Sequence, residues 1–280
     1  MLSDKKITVI GVGNMGEILL KGLLSSGKID KSRVTASEVN PERREAIKEQ
    51  YGIDIHPSCC TAAADADVVL LAVKPQNIAG VLDLLRETLT EDHLLVSIAA
   101  GVHVDTIAAH FPDKAMRIIR VMPNAPALVG AGASALFAGR FADDEDLLTA
   151  RQILDLIGLT VVVDHEEFID VVTGLSGSGP AYIFMIIEAL SDAGVQQGLS
   201  RKVANALAAQ TVFGAGKMFL ETKLHAGALK DLVATPGGTT FAGLRALENG
   251  NFRAVIMDAV EAATNKSREL GAKANSPNRS

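Results

Sequence analysis

The sequence predicts an α/β fold, a mostly parallel sheet wrapped in helices, followed by a second domain built of helices alone. Three observations carry this prediction. Short apolar runs recur in the first part of the chain, each bounded by turn residues: Lys5–Ile10, Arg33–Ser37, Val68–Val73, Leu94–Ile98 and Arg117–Val121. Strands buried on both faces by crossover helices read as such near-continuous runs. A glycine-rich turn joins the first run to an amphipathic helical pattern. Beyond Asp164 the strand patterns stop, and the chain reads as helices joined by glycine corners. A chain of 280 residues has room for two domains, placed here at 1–164 and 165–280.

The first strand, KKITVI, runs straight into Gly11-Val12-Gly13-Asn14-Met15-Gly16, and then into Ile18, Leu19, Leu20, Leu23 and Leu24. Strand, glycine turn and helix together are the context that gives a GxGxxG its meaning, a Rossmann-type dinucleotide-binding domain. Gly11 makes the tight turn, Gly13 lets the backbone approach a pyrophosphate, and Gly16 lets helix and strand pack closely. The bland alternative is a glycine turn with no ligand. The Lys-Ser/Thr pair of a triphosphate-binding loop is missing, which disfavours a nucleoside triphosphatase.

The second strand ends at Glu38, about 20 residues past the glycines, where a carboxylate grips the adenine ribose hydroxyl and repels a 2′-phosphate. Glu38 therefore favours NADH over NADPH. Arg43 and Arg44 follow in PERREAI and would pull towards NADPH, although a solvated helix face explains them more simply. The Val68–Val73 run leads into Ala72-Val73-Lys74-Pro75, at the strand end where ligands of such sheets gather. Leu94–Ile98 leads likewise into Ala99-Ala100-Gly101, small residues that leave room for a nicotinamide ring. Gly132–Phe137 and Thr160–Val163 read as closing strands around a helix at Glu145–Leu156.

The second half opens with a helix-start signal, Thr173 to Pro180, and then Ala181–Ile187, AYIFMII, apolar on every face. A helix apolar all round must be buried all round, which points to a partner subunit. Arg201–Phe219, His225–Val233 and Asn251–Leu270 are the further helices expected, with Gly271–Ser280 as a frayed tail. Between them lies ATPGGTT. Pro236 stops a helix, the glycines admit unusual backbone angles, and Thr239 or Thr240 can cap the next helix. Free N–H groups and a hydroxyl would converge there on a small carboxylate. An ordinary helix–turn–helix corner is the plainer alternative.

Composition removes several functions. The net charge of −6 and the absence of Trp argue against a nucleic-acid partner. Met1–Lys6 enters a strand with no room for a signal peptide, and no uninterrupted apolar run reaches the roughly 20 residues of a membrane span. Cys59 and Cys60 are adjacent, a poor geometry for a disulfide and too few for a metal cage. A cytoplasmic protein without a metal or a membrane is the expectation.

GVGNMG, LAVKP, the Met122-Pro123-Asn124 turn, GLSGSGPAY and the TPGGTT corner occur together in an order and spacing that closely resembles the pyrroline-5-carboxylate reductases. The resemblance covers almost the whole chain. It implies hydride transfer from NADPH or NADH to the imine carbon of 1-pyrroline-5-carboxylate, giving proline. It implies an all-helical C-terminal dimerisation domain, interleaved in a homodimer, with rings of dimers in many members. Matching positions make Gly238, Thr239, Thr240 and Glu166 substrate contacts, with Thr240 holding the ring nitrogen as the catalytic hydroxyl. The family pattern AVKP makes Ala72–Pro75, with Lys74, a cofactor contact, beside the cofactor contacts read above from the residues themselves: the GVGNMG turn (Gly11, Val12, Gly13, Asn14, Met15, Gly16), Glu38 and Ala99–Gly101. Ala125 stands where the family shows Thr, so no hydroxyl contact is carried over there. Glu166, in DHEEF, reads equally as a solvated acid.

The residues favour an imine independently. A carbonyl reductase needs a general acid for the developing alkoxide, yet Ser176–Gly198 holds no Lys, Arg or His. A protonated imine brings its own proton. The alternatives are an NAD(P)-dependent reductase of another small imino or hydroxy acid on this scaffold, and a non-enzymatic dinucleotide-binding protein.

Overall fold

The computed structural model describes residues 2–274. Eight strands form one sheet: β1 (Ile7–Ile10), β2 (Val34–Ser37), β3 (Asp54–His56), β4 (Val68–Leu71), β5 (Leu94–Ser97), β6 (Arg117–Met122), β7 (Gly132–Ala138) and β8 (Gly158–Val162). Their order is β3-β2-β1-β4-β5-β6-β7-β8. All pairs are parallel except β6 with β7. Between β1 and β4, which are themselves parallel, the order in which strands are added to the sheet switches from one edge to the other. Ligands of such sheets collect there, beyond the carboxyl ends of the strands.

The helices α1 (Asn14–Ser25), α2 (Pro41–Tyr51), α3 (Cys59–Ala63), α4 (Ile78–Leu85), α5 (Val104–Ala108) and α6 (Asp144–Leu154) cover the two faces. Alternation along each strand feeds two cores. Val9, Val96 and Ile119 pack with Leu19, Leu20, Ile47 and Ile153 on one side. Ile10, Leu71, Leu95 and Ile118 pack with Leu82, Leu85, Ile107 and Phe111 on the other. Every residue of β1, β4 and β5 is buried, as their unbroken apolar runs require. The short edge strand β3 was not expected from the sequence.

Among the described residues only helices follow β8: α7 (Phe168–Val172), a π turn at Thr173–Gly177, α8 (Gly179–Gln196), α9 (Arg201–Thr222), α10 (Ala226–Val233), α11 (Thr239–Asn249) and α12 (Phe252–Ala274). The tail expected from Gly271 is still helical to Ala274, and the rest of it lies outside the described residues. The chain falls into two compact units, 1–177 with the residues from 263 onward, and 178–262. The expected boundary near Asp164 therefore does not coincide with the compact units. Buried Ile169 anchors α7 in the first unit, and Ser267 Oγ donates to buried Asp170 Oδ1 at 2.6 Å.

In the second unit α8 and α9 run antiparallel through the short Gly198–Ser200 connection, with Arg201 donating to Ser191 and Asp192. Little of this unit is buried within one chain. Phe184 and Met185 are 64% and 70% exposed, and Leu207, Phe213, Leu220, Leu232, Val255 and Met257 are exposed as well. The continuous helical stretch Phe168–Gln196 has the length and apolarity that crossing a bilayer requires, although it carries Asp170, Glu188 and Asp192.

Candidate active site

The three glycines of the turn after β1 stand in three different settings. Gly11 has φ +88°, and a Cβ there would lie 2.7 Å from Val73 Cγ1 and 3.1 Å from Ala72 O. The ends of β1 and β4 are joined here by Ala72 N donating to Ile10 O at 2.9 Å. A Cβ on Gly16 would lie 2.1 Å from Gly11 O, so α1 could not sit over the turn. At Gly13 an added Cβ meets nothing within 4 Å. No packing in the chain demands glycine at 13, which fits a position kept clear for an approaching ligand. Gly13 is the N-cap of α1 and supplies no side-chain cap. The first N–H groups of the helix are therefore left facing outward beside exposed Asn14 and half-buried Met15, as a pyrophosphate needs.

Glu38 stands against this turn. Its Oε2 accepts from Val12 N at 3.1 Å and its Oε1 from Asn40 N at 3.0 Å. Each oxygen keeps a second lone pair. Arg43 and Arg44, expected on a solvated face, are instead engaged. Arg43 Nε donates to Val12 O at 2.9 Å and its Nη2 pairs with Glu17, while Arg44 Nη1 donates to Glu38 O at 2.8 Å. The helix periodicity alone hid this, because both partners come from other segments.

Lys74 is exposed at the start of the short 3-10 turn Pro75–Asn77, beside half-buried Ala72 and Val73. Beyond β5, Ala99 and Gly101 are buried and Ala100 is exposed. Gly101 has φ +75°, and its would-be Cβ lies 3.5 Å from Gly271 of α12. The turn of small residues is thus pressed against a helix as well as left open at Ala100. Asn124 Oδ1 accepts from Ala133 N at 2.8 Å and its Nδ2 donates to Ser176 O at 2.9 Å, so the MPN turn and the GLSGSG segment are tied together.

Glu166 is not a freely solvated acid. Its Oε1 accepts from Val104 N at 2.8 Å and from Arg120 Nη1 at 2.9 Å, and Arg120 is only 2% exposed. Sequence reasoning missed Arg120. A lone arginine inside the apolar strand RIIRVM was the available signal, because a buried guanidinium demands a carboxylate.

The second unit holds the ATPGGTT corner. Pro236 and Gly237, with φ +72° at Gly237, form the middle of a turn closed by Gly238 N donating to Thr235 O at 2.9 Å. This is the residue pattern of a type II turn. A Cβ on Gly238 would lie 2.5 Å from Thr235 Oγ1 and 3.0 Å from Thr235 O, so a larger residue would force the turn or the Thr235 side chain to shift. Gly238, not a threonine, is the N-cap of α11, and no side chain caps that helix. Thr239 and Thr240 are the first helical residues, too far along to cap it. Because the Gly238 N–H is spent within the turn, the donors left for an anion are those of Thr239, Thr240 and Phe241. Thr239 is exposed and Thr240 half-buried, and among the described residues neither hydroxyl has a hydrogen-bond partner.

Residues 166–270 match the model of the family described as pyrroline-5-carboxylate reductase dimerisation. Residues 6–101 match that of NADP oxidoreductase, coenzyme F420-dependent. The chain is 42% identical to the pyrroline-5-carboxylate reductase of Methanosarcina acetivorans over 97% of its own length and 100% of the relative's. Among solved structures, it is 40% identical to a pyrroline-5-carboxylate reductase from Coxiella burnetii, with a TM-score of 0.91 covering 95% of this chain and 98% of that one. A pyrroline carboxylate reductase from Plasmodium falciparum, solved with NADP bound, is 31% identical, with a TM-score of 0.84 covering 96% and 99%.

Proposed function

The chain belongs to the pyrroline-5-carboxylate reductase family, and from that premise we propose how its own residues carry out the reaction and with which cofactor. The enzyme is an NAD(P)H-dependent oxidoreductase that reduces 1-pyrroline-5-carboxylate to L-proline, the last step of proline biosynthesis. The observation that carries the detailed reading is the Thr235–Thr240 corner: an uncapped helix start beside a threonine hydroxyl that has no partner among the described residues.

A bound nicotinamide cofactor would supply the hydride for the imine carbon. The residues around the glycine turn fit such a cofactor, because Gly13 leaves space over an uncapped helix N-terminus. On our reading the N–H groups at the start of α11 hold the substrate carboxylate. The Thr240 hydroxyl holds the ring nitrogen, so the imine carbon is presented in one orientation. As the C=N electron pair withdraws to nitrogen, the positive charge of the protonated imine is discharged, and no proton donor is called on at that step. This suits a segment, Ser176–Gly198, that holds no Lys, Arg or His. Glu166 contacts the substrate through Oε2, its Oε1 being occupied by Arg120 and Val104.

NADH is the cofactor we assign as used at least as well as NADPH. Glu38 already presents its carboxylate at the turn, and Arg43 and Arg44 are drawn into internal contacts. The exposed apolar residues of the second unit we assign to a second copy of the chain, since residues 166–270 match a dimerisation family and monomers do not leave such patches open. The same assignment accounts for the apolarity of Phe168–Gln196 without a membrane. A cytoplasmic enzyme that is at least a dimer is the resulting picture.

Oxidation of NADH and of NADPH, followed with 1-pyrroline-5-carboxylate beside other cyclic imines and a hydroxy-acid series run in reverse, tests these assignments. Comparable or greater kcat/KM with NADH is expected, and turnover confined to NADPH would remove the role given to Glu38.

A further inference from the structure

Val12 lies between the first two glycines of the turn and is fully buried, and both polar groups of its backbone are held by side chains. Its N–H donates to Glu38 Oε2 at 3.1 Å, and its carbonyl accepts from Arg43 Nε at 2.9 Å. Arg43 is itself tethered. Its Nη2 pairs with Glu17 on α1, and Glu17 Oε1 accepts from Tyr51 Oη at 3.0 Å. Gln50 Nε2 donates to the same Tyr51 oxygen at 3.0 Å. Burial works against the charge on Glu17, yet the hydrogen bonds from Arg43 and Tyr51 outweigh it and hold the carboxyl below its ordinary value. Arg43, Gln50 and Tyr51 all come from α2, so that helix is tied through α1 to the turn.

A trans peptide is planar, so the Val12 carbonyl and the Gly13 N–H point in opposite directions. Fixing the carbonyl towards Arg43 aims the Gly13 N–H away from α2. Gly13 is also where an added Cβ would meet nothing, at the uncapped start of α1. We propose that Arg43, held by Glu17 and Tyr51, is a positioning residue for the cofactor pyrophosphate, acting through the Val12–Gly13 peptide. It rests on the reading of this turn as the dinucleotide site. The role differs from a direct grip on a 2′-phosphate, because a pyrophosphate is common to both cofactors. Loss of Arg43 should then weaken NADH and NADPH equally.

The test is calorimetric titration of the full-length enzyme with NADH and with NADPH, for wild type, Arg43→Ala, Arg43→Lys, Glu17→Gln and Tyr51→Phe. Arg43→Ala should raise both dissociation constants by the same factor, roughly five- to thirtyfold, the scale of one charge-assisted hydrogen bond acting indirectly. Lysine keeps the charge but lacks the planar fork that spans Val12 O and Glu17, so Arg43→Lys should recover part of the loss. Glu17→Gln and Tyr51→Phe should move both constants in the same direction by less. At saturating cofactor, kcat and the KM for 1-pyrroline-5-carboxylate should stay near wild type. A loss confined to NADPH would overturn the proposal and make Arg43 a phosphate ligand. Unchanged constants in both Arg43 variants would overturn it too, as would a loss in Arg43→Ala that Arg43→Lys does not relieve. Wild-type enzyme that bound neither cofactor would overturn the dinucleotide reading, and the proposal with it.

Discussion

Glu166 Oε1 lies 2.9 Å from Arg120 Nη1, and 46 residues of sequence separate the two. The arginine is almost wholly buried, whereas the carboxylate is partly open. Such a pair supports the segment that follows β8, whatever else Glu166 does. Glu166→Gln keeps the size and one acceptor but leaves a buried guanidinium without a countercharge. We expect a loss of about 3 kcal/mol in unfolding free energy, the lower end for a broken buried pair because Glu166 is not fully enclosed. Urea unfolding measures it. If Glu166 also touches substrate, the KM for 1-pyrroline-5-carboxylate rises in the same variant while cofactor binding holds. A variant with raised KM and unchanged stability would make the Arg120 pair energetically idle.

Glu38→Ser addresses cofactor choice. On the proposed reading, the substitution removes a charge that would oppose the 2′-phosphate and accept from the ribose hydroxyl. The ratio of kcat/KM for NADPH over NADH should rise by about 1–2 kcal/mol, or roughly five- to thirtyfold. The ratio is the informative quantity, because Glu38 also holds Val12 N and its loss will disturb both cofactors alike. A ratio that does not move would place the choice with residues other than Glu38.

The parts of this molecule legible in its sequence are those fixed by local chemistry. The central strands announced themselves because VVLL or LLVS can only be buried on both faces, and the glycine turn because it sat between strand and helix. Strand β3 did not: Asp54-Ile55-His56 is an edge of three residues with one apolar side chain. Arg43 read as solvated because its helix spacing is polar, while its partner Glu17 is 26 residues away. Thr239 and Thr240 satisfied the sequence rule for a helix cap, but the positive φ of Gly237 brings Gly238 to that position first. Pairings across long separations and the one-residue phase of a turn are tertiary facts that no local pattern contains.

The exposed apolar residues of the second unit predict the assembly. Phe184, Met185, Phe213 and Leu220 together leave an open surface that a stable monomer would not keep. Sedimentation velocity at nanomolar concentration should give a dimer or a multiple of it. Met185→Asp should shift the species towards monomer and lower activity along with it. A wild-type monomer that remained folded and active at that dilution would contradict the assignment of this surface.

Thr240 carries the most specific prediction. Its neighbours explain why the two readings of this residue can be separated. A capping threonine replaced by valine costs about 1 kcal/mol of stability, but α11 is not capped by any side chain, and Thr240 lies inside its first turn. Thr240→Val should therefore leave the melting temperature close to wild type. If the hydroxyl holds the imine nitrogen, kcat/KM should fall about ten- to several-hundredfold, corresponding to roughly 1.5–3 kcal/mol for one positioning contact. Nitrogen loses its charge as hydride arrives, so the hydroxyl orients the ring and does not stabilise growing charge. The loss should be insensitive to which cofactor is used, and cofactor affinity should barely change. Thr240→Ser should retain most activity, because it restores a donor and an acceptor in nearly the same place. Thr239→Val should do less harm, since that side chain is exposed and its backbone N–H survives the change. Steady-state kinetics beside a melting curve decides the matter: a Thr240→Val enzyme that turns over normally would take the catalytic contact away from Thr240 and leave only the N–H groups of the helix start.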